Sequence, residues 1–257
     1  MIAIKVFGER NTSTNALIKA ILRNIEHVNV LPSTASELNK DVALEINRIH
    51  SAHDGLDRAA VRESYIDSIF SNCSLRNTWK HAATNFNSLQ DCSDVKFIFT
   101  VRHPASWLLA LHKRPYHALQ KVEQDFDKFI VQPWKTVQRD RLSEICTTPI
   151  GLWNLKCKSY IDFLKKFDER GNCFIVRFED FSQSQEQALF GLLKSFGLEK
   201  ERFQEVVNSS KGDDKNVKWY RDYYGKECWR KEITDSAWSV IKSNVDPVVC
   251  EFFSYEV

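Results

Sequence analysis

The residues from Gly8 to Asn15, called the first loop below, combine one arginine with a row of hydroxyl and amide side chains. An apolar run rich in β-branched residues, Ile2–Phe7, precedes the loop and predicts a buried strand. Apolar residues at helical spacing, from Leu17 to Leu22, follow the loop and predict a helix. The N–H groups that begin a helix have no partner within it, and the helix dipole makes that end positive. The sequence therefore predicts a strand, a loop and a helix whose junction binds an anion.

The first loop differs from the loop that binds nucleoside triphosphates. That loop has the sequence G-x-x-x-x-G-K-[ST], and its second glycine and its lysine would fall on Ser13 and Thr14. Because no lysine is present to contact a γ-phosphate, hydrolysis of ATP or GTP is not expected. The donors of the loop suit a nucleotide that carries a smaller anion. An ordinary β-turn-α corner, with Asn11 or Thr12 as the helix cap, is the open alternative.

Two further polar segments follow predicted strands. Trp79–His81 ends a short predicted strand, Leu75–His81, and Arg102–Ser106 follows the strongly apolar run Lys96–Val101. In an open parallel sheet, ligands bind beyond the carboxyl ends of the strands. We therefore expect both segments to lie at the same rim of the sheet as the first loop.

The remaining pattern alternates strands with helices, which predicts βαβ units. The expected fold is α/β: one domain over residues 1–257, with a parallel sheet of four or five strands flanked by helices, a three-layer sandwich like that of P-loop NTPases. Further strands are predicted at Val28–Leu31 and Cys173–Val176. Further helices are predicted from Pro104 onward and at Asp57–Phe70, Phe126–Trp134, Leu152–Phe167, Gln185–Phe196, Lys200–Val207 and Asp235–Phe253.

The composition limits the classes of function. The chain has 257 residues, of which 43% are hydrophobic, and a net charge of +2, so nucleic acid is not expected as a partner. Its seven cysteines are dispersed without a C-x-x-C pair. This pattern favours free thiols in a reducing compartment over disulfides or zinc, and no ligand spacing indicates another metal. Because neither a signal peptide nor a membrane-spanning run is recognised, we expect a cytoplasmic protein.

Five segments resemble, in order, the motifs of sulfotransferases that use 3′-phosphoadenosine 5′-phosphosulfate (PAPS). FGERNTSTN resembles the loop that binds the 5′-phosphosulfate, and VRHPASWLLALHK resembles the segment whose arginine binds the 3′-phosphate. VRFEDF resembles a strand end of these enzymes, SSKGDDKN a late basic loop that closes over the 3′-phosphate, and FFSYEV the closing helix. Through these motifs the chain is similar to a PAPS-dependent sulfotransferase from Ile4 to Tyr255.

The resemblance implies transfer of a sulfuryl group from PAPS to a hydroxyl or amine of an acceptor, with no metal required. By analogy alone, we expect the acceptor to be a carbohydrate or a glycolipid. Arg102 and Lys211 would bind the 3′-phosphate. Ser106 would replace a family serine whose position is occupied by Ala110. The residues expected to bind PAPS are Gly8, Arg10, Asn11, Thr12, Ser13, Thr14, Asn15, Arg102, Ser106, Lys211 and Gly212.

Three catalytic residues are implied by the same resemblance. Sulfuryl transfer, like phosphoryl transfer, is expected to depend on positioning and charge stabilisation. His81 would accept the acceptor's proton, Arg10 would stabilise charge on the bridging oxygen, and Lys80 would hold the transferred group. The family's loop lysine falls on Asn11, so either Arg10 or Lys80 is the catalytic cation. Ser13 stands where the family has glycine, and a left-handed turn there would cost free energy.

Alternatives stay open for the site and for the function. The alternative interpretations are that His81 has a structural role, that Arg102 pairs with a carboxylate, and that Ser106 faces solvent. The aromatic residues between Trp219 and Tyr224 either stack on a nucleotide or sugar, or pack in the core. Other function classes are a P-loop kinase or nucleotidase, and a non-catalytic protein that binds the product adenosine 3′,5′-bisphosphate (PAP). The sequence predicts neither the identity of the acceptor nor the oligomeric state.

Overall fold

A computed structural model describes residues 1–89, 92–116, 118–142, 146–168, 171–198, 202–208 and 215–257. The strands are β1 Ile2–Gly8, β2 Val28–Val30, β3 Val95–Val101, β4 Trp134–Lys135, β5 Cys146–Thr147 and β6 Cys173–Arg177. The helices are α1 Thr14–Asn24, α2 Ala35–Leu38, α3 Val42–Ala52, α4 Gly55–Phe70, α5 Pro104–Lys113, α6 Phe126–Phe129, α7 Pro149–Phe167, α8 Phe178–Gln183, α9 Gln185–Ser195, α10 Val217–Gly225, α11 Asp235–Asn244 and α12 Pro247–Phe252.

Four of the strands form one parallel sheet in the order β2-β1-β3-β6. The register pairs Ile4 of β1 with Val30 of β2, and Gly8 with Thr100 where β1 and β3 approach their carboxyl ends. The other two strands, β4 and β5, form a separate antiparallel pair. This arrangement confirms the predicted α/β fold, with four strands in the parallel sheet.

Alternate side chains of the central strands enter two different hydrophobic clusters. Phe7 and Phe99 belong to one cluster, together with residues of α5, α7, α11 and α12. Val6 and Ile98 belong to the other, together with residues of α1 and α9. Because successive side chains of a strand point to opposite faces, the two clusters lie on opposite faces of the sheet. Helices therefore cover the sheet on both sides, which confirms the three-layer arrangement.

The predicted strand at Leu75–His81 is wrong. Leu75–Asn77 form a single 3-10 turn, and the residues after it join no sheet in the described part of the chain. The ammonium of Lys5, which is buried within β1, donates to the carbonyl oxygens of Arg76 and Thr78 at 3.0 and 2.6 Å. Strand β1 is already paired with β2 and β3, so these bonds hold residues 76–78 against it through a side chain instead of a strand ladder.

The predicted helix at Phe126–Trp134 is too long. Helix α6 ends at Phe129, and Trp134 begins the short strand β4. Pro133 explains the early end, because the residue before a proline is disfavoured in helical backbone.

The predicted helix at Lys200–Val207 is wrong for its described residues, 202–207, which have no regular structure. Two buried amide side chains bond this segment as extended backbone. Asn24 exchanges two hydrogen bonds with the backbone of Gln204, and Gln185 exchanges two with Val206. These long-range bonds replace the local bonds that a helix would form.

The other predicted helices and strands occur within a few residues of the predicted bounds. The C-terminal helix is interrupted as predicted, because α11 ends at Asn244 and α12 begins at Pro247. No helix in the described ranges is long and apolar enough to cross a bilayer. The cysteines with described side chains are free thiols: Cys73, Cys92, Cys157, Cys173, Cys228 and Cys250.

Candidate functional site

The first loop presents unbonded backbone donors at the N-terminus of α1. The N–H groups of residues 13–16 have no hydrogen-bond partner among the described residues, and the first bond is from Leu17 to the Ser13 carbonyl at 2.9 Å. Asn11 and Ser13 have left-handed backbone, with φ of 65° and 66°. Such alternation of backbone conformation aims successive N–H groups into an anion-binding concavity. Ser13 is the cap residue and its side chain makes no capping bond, so these donors face outward for a ligand.

Gly8 is held where no side chain fits. A Cβ atom at Gly8 would lie 1.8 Å from the Thr100 hydroxyl oxygen and 2.8 Å from that of Thr12. The two hydroxyls lie 2.7 Å apart, and the Thr12 hydroxyl donates to the Glu9 carbonyl at 2.6 Å. The Thr12 hydroxyl therefore stabilises the turn. The Thr14 hydroxyl, at the first residue of α1, has no hydrogen-bond partner in the described part of the chain.

Lys80 lies beside the same end of α1. Its ammonium donates to the side-chain oxygen of Asn15 at 2.5 Å, and its carbonyl accepts the Gly8 N–H at 2.9 Å. The side chain is buried, and burial lowers the pKa of Lys80, an effect that the carboxylate of Glu37 partly offsets. The segment around Lys80 thus reaches the rim predicted for it, although it does so without being a strand.

His81 contacts the first loop through its ring. Its Nδ1 lies 2.5 Å from the carbonyl oxygen of Gly8. Because a carbonyl oxygen only accepts hydrogen bonds, Nδ1 carries the hydrogen, and in the neutral ring Nε2 then carries the lone pair. The ring packs edge-on against Trp79, with the centroids 5.0 Å apart. His81 therefore has the tautomer that a general base acting through Nε2 requires.

Arg102 forms a second cationic site next to the first loop. The residue is 1% exposed, and its Nε and Nη2 donate to the Ser106 hydroxyl at 2.9 and 2.8 Å. Its Nη1 donates to the Asn11 carbonyl at 2.8 Å, and its guanidinium lies over the rings of Phe178 and Tyr224. Ser106 is buried, so the solvent-facing alternative is wrong. No ion pair joins Arg102 to a carboxylate of the described residues.

A cavity of about 160 Å³ opens beside Arg102. Its walls include Lys113, Lys215 and Trp219. Lys113 donates to the Glu232 carboxylate at 2.5 Å, and the Lys215 ammonium lies 3.8 Å from the centre of the Trp219 ring. Cations suit a phosphate and aromatic rings suit the face of a purine or sugar. The aromatic residues of α10 therefore border a cavity whose cationic and aromatic lining suits a nucleotide.

Two predicted nucleotide ligands, Lys211 and Gly212, lie outside the described residues, and their role stays a prediction. Lys215, from the end of the same basic motif, is described and lines the cavity beside Arg102. Within the described ranges, no group of three or more His, Cys, Asp or Glu side chains is arranged to hold a metal ion.

Arg10 is held by carboxylates. Its guanidinium is buried, donates to Glu9 at 2.7 Å and lies 3.5 Å from Asp140. It also lies over the Trp79 ring, 4.8 Å from the ring centre. Burial acts to lower the pKa of Arg10, but the two carboxylates outweigh it and raise the pKa. Of the two predicted cations, Lys80 is the one that contacts a side chain of α1.

Arg10 belongs to a group of four buried charges, Glu9, Arg10, Asp140 and Lys156, called the site cluster below. Lys156 donates to the Asp140 carboxylate at 2.5 Å and lies 3.6 Å from the Glu9 carboxylate. Its ammonium also donates to the carbonyl oxygen of His81. Burial acts to raise the pKa of Asp140, but Lys156 and Arg10 hold it well below its usual range. The cluster is balanced in charge and touches both the first loop and His81.

Sequence reasoning did not identify Glu9, Asp140 and Lys156 as parts of the site. Lys156 lies on the apolar face of α7, three residues after Trp153 and four before Tyr160. A lysine at that position is a readable signal, because a buried charge needs a partner. No comparable local signal marks Asp140, whose charged partners, Arg10 and Lys156, come from other parts of the chain.

Solved sulfotransferase domains have a similar fold. The sulfotransferase domain from the Synechococcus PCC 7002 olefin synthase superposes with a TM-score of 0.50 at 12% identity, covering 100% of this chain and 95% of that chain. Other similar structures are the sulfotransferase domain from the curacin biosynthetic pathway (TM-score 0.46, 15% identity, 100% and 98% covered) and retinol dehydratase in complex with androsterone and the inactive cofactor PAP (TM-score 0.44, 11% identity, 94% and 78% covered). No protein-family model and no curated protein matches the sequence. The likeness to the olefin synthase domain confirms the sulfotransferase resemblance at the level of the fold.

Proposed function

We propose that this protein is a sulfotransferase that uses PAPS as the sulfuryl donor. The observation that supports the proposal is that two groups of positively polarised donors lie side by side. The N–H groups of residues 13–16 form one, and the buried guanidinium of Arg102, which bonds the Asn11 carbonyl at 2.8 Å, forms the other. A nucleotide with charged groups at both its 5′ and 3′ positions needs two such sites, whereas ATP has no 3′-phosphate to place in the second.

The residues of the rim fit the groups of PAPS. The outward N–H groups of α1 and the Thr14 hydroxyl supply donors for the 5′-phosphosulfate. Arg102, fixed by Ser106, supplies a fork of donors for the 3′-phosphate, with the basic and aromatic cavity next to it. Bound PAPS brings an activated sulfuryl group to the end of α1, where Lys80 and His81 lie.

In the transfer step, Nε2 of His81 accepts the proton of the acceptor hydroxyl or amine while the acceptor atom forms its bond to sulfur. The bond between sulfur and the bridging oxygen of the 5′-phosphate breaks, and its electron pair leaves with the bisphosphate. The Lys80 ammonium, next to Asn15, stabilises the negative charge that develops on that oxygen. Arg10 supports the loop through Glu9 and Asp140 instead of contacting the oxygen.

A carbohydrate or glycolipid acceptor and a cytoplasmic location stay predictions from the sequence. The proposed chemistry requires only a nucleophile whose proton Nε2 of His81 can accept.

The proposal is tested by thermal unfolding with PAP, with ATP plus Mg²⁺ and with 5′-AMP. A ligand that binds only the folded state raises Tm according to its concentration relative to Kd. PAP is expected to raise the Tm of the wild type more than 5′-AMP does, because only PAP occupies the Arg102 site. Arg102→Met should remove this difference, and Ser106→Ala should reduce it by loosening the guanidinium. The control is Arg48→Met, which changes an arginine on α3 that is 79% exposed.

Extra stabilisation by PAP over 5′-AMP that disappears in Arg102→Met but not in Arg48→Met supports the proposal. Stabilisation by ATP plus Mg²⁺ without stabilisation by PAP would contradict it and favour a P-loop kinase or nucleotidase. Equal stabilisation by PAP and 5′-AMP would show that Arg102 does not read a 3′-phosphate.

A further inference from the structure

His81 is anchored at two points by groups from different parts of the chain. Its ring donates from Nδ1 to the Gly8 carbonyl at 2.5 Å, and its own carbonyl accepts a hydrogen bond from the Lys156 ammonium. Lys156 lies in the middle of α7, 75 residues further along the chain. One bond orients the ring and the other fixes the backbone that carries it.

The ammonium of Lys156 is surrounded by acceptors from within the protein. The residue is 0% exposed. Besides the His81 carbonyl, its acceptors are the Asp140 carboxylate at 2.5 Å and the Asp140 carbonyl at 3.2 Å, and the Glu9 carboxylate lies 3.6 Å away. An ammonium has three hydrogens to donate. All three directions are used inside the protein, so the position of the His81 carbonyl is tied to the site cluster.

The site cluster joins segments that are far apart in sequence. Arg10 connects Glu9 at 2.7 Å to Asp140 at 3.5 Å, and Lys156 connects Asp140 back toward Glu9. The cluster thereby links the first loop, the turn at residues 138–141 and helix α7. A shift of any one of these segments would therefore displace the backbone of His81.

Stability alone does not account for this arrangement. Removing charges from water costs free energy, and buried ion pairs can often be replaced by neutral residues without loss of stability. What a fully bonded charge cluster supplies is a single geometry for the groups that contact it. Here the contacting group is the candidate general base.

We propose that Lys156 is a positioning residue for His81. It holds the His81 backbone so that Nδ1 stays on the Gly8 carbonyl, which keeps the lone pair of the neutral ring on Nε2. The catalytic consequence rests on the proposed function, whereas the state of the His81 ring can be measured without any activity. Lys156 itself touches neither nucleotide nor acceptor in this account.

The test is NMR of the protein labelled with ¹⁵N-histidine. The wild type is compared with Lys156→Met/Asp140→Asn, a double variant that removes one positive and one negative charge. Asparagine keeps an oxygen at residue 140 for the Val137 N–H, which Asp140 accepts at 3.0 Å. The His81 signals are assigned by their loss in His81→Gln. The wild type is expected to show hydrogen on Nδ1 of His81, and the double variant a mixture of the two tautomers.

A matched control comes from a second buried ion pair, which joins α4 to the turn. Asp67→Asn removes the negative charge that faces the Arg139 guanidinium at 2.6 Å in the native protein. This variant is expected to lower Tm while the His81 tautomer stays that of the wild type. A general loss of stability would thus be distinguished from a loss of positioning.

The kinetic readout is turnover of PAPS with water as the acceptor, which releases sulfate and PAP, alongside the Kd of PAP. The double variant should lower kcat by about 10²-fold, the scale expected for a misplaced catalytic group, with the Kd of PAP unchanged. Asp67→Asn should change neither quantity.

A double variant that keeps hydrogen on Nδ1 of His81 and a wild-type kcat overturns the inference. Mixed tautomers and a lower kcat at unchanged PAP affinity support it. If the wild type neither binds PAP nor turns over PAPS, the proposed function fails, and the tautomer measurement still decides whether Lys156 positions His81.

Discussion

Two buried groups of charges begin at neighbouring residues of one turn and end in different parts of the molecule. Asp140 joins the site cluster through Lys156 and Arg10. Arg139 joins a second group, called the scaffold cluster, which consists of Glu63, Asp67 and Arg139. The indole of Trp79 lies between the two, because Arg10 lies 4.8 Å and Arg139 4.4 Å from its ring centre.

The ion pairs of the scaffold cluster connect α4 to the turn. Arg139 donates to Asp67 at 2.6 Å and also to the Glu63 carboxylate, and Arg62 lies 2.7 Å from Glu63. Asp67 further accepts the Gln138 N–H at 2.9 Å. All of these groups belong to α4 or to the turn itself, so the cluster fixes one element against another.

The site cluster has the same types of charges and a similar degree of burial, but its spare donor goes to the His81 carbonyl. The difference teaches that the function of a buried ion pair is decided by the destination of its remaining hydrogen bonds. In this proposal, the scaffold cluster stabilises the packing of α4 on the turn, and the site cluster holds the backbone of His81.

The largest expected effect comes from His81→Gln, which sets the upper limit for any change that acts through the site cluster. Turnover of PAPS should fall by about 10²–10⁴-fold, the usual contribution of a general base. PAP affinity should not change, since the proposed ligands of PAP are the N–H groups of α1 and the Arg102 guanidinium. Single-turnover kinetics measure the rate, and calorimetric titration measures the affinity. A wild-type rate would show that His81 is structural.

The next prediction compares the two clusters directly through Lys156→Met and Arg139→Met. Each variant leaves buried carboxylates without a full partner, which should lower the free energy of unfolding by about 3–5 kcal/mol. Urea denaturation measures this loss. In the protein that remains folded, only Lys156→Met should also lower kcat. An equal loss of kcat in both variants would show that the clusters do not differ in function.

The effect of acid is expected at His103, which belongs to neither cluster. Burial lowers the pKa of His103 to about 4, and its Nε2 donates to the Glu256 carbonyl at 3.0 Å. The unfolded chain binds a proton near pH 6.5 and the folded chain does not, so stability should fall as the pH decreases from about 6.5 to 4, by up to about 3 kcal/mol.

The comparison variant for this prediction is His103→Gln, whose stability should lose most of that dependence on pH. Burial raises the pKa of Glu179, whose carboxylate accepts a hydrogen bond from the backbone N–H of His103. Protonation of Glu179 therefore favours the folded protein as the pH decreases, and it does so in the wild type and in the variant alike. The pKa of Asp140 is held so low that this carboxylate does not titrate in this range. Parallel pH profiles for both proteins would rule out the assignment to His103.

The smallest expected effect is at Ser13, whose φ of 66° is left-handed. Ser13→Gly should raise the free energy of unfolding by about 0.5–1 kcal/mol, because glycine adopts this conformation without a Cβ contact. The matched variant is Arg141→Gly, at a φ of 56° in the turn that carries both clusters. Its free energy of unfolding should rise by a similar amount. Denaturation curves and PAP titrations check both. A loss of PAP binding in Ser13→Gly alone would assign the serine hydroxyl to the ligand.

Much of the fold was predictable because its signals are local. The buried strands β1 and β3 are continuous apolar runs, and the first loop and Arg102 follow them directly in sequence. The rule that ligands lie beyond the carboxyl ends of parallel strands then places both at one rim. His81 reached that rim although its predicted strand was wrong, because hydrogen bonds to Gly8 hold the segment there.

The rest depends on contacts that no local pattern records. The Arg10 guanidinium is held by Glu9 beside it and by Asp140, which is 130 residues away in sequence. The link between Lys156 and His81 spans 75 residues. Only the presence of a lysine on the apolar face of α7 indicated that a buried partner had to exist.

The most direct test of the central claim is transfer of label from ³⁵S-PAPS by the wild type and His81→Gln, with water and with a panel of sugars and glycolipids as acceptors. The account predicts that the wild type releases PAP and labels sulfate or an acceptor, and that His81→Gln binds PAP equally well but transfers far more slowly. Binding of PAP without any transfer above the rate in buffer would contradict the account and identify the protein as a non-catalytic bisphosphate-binding module.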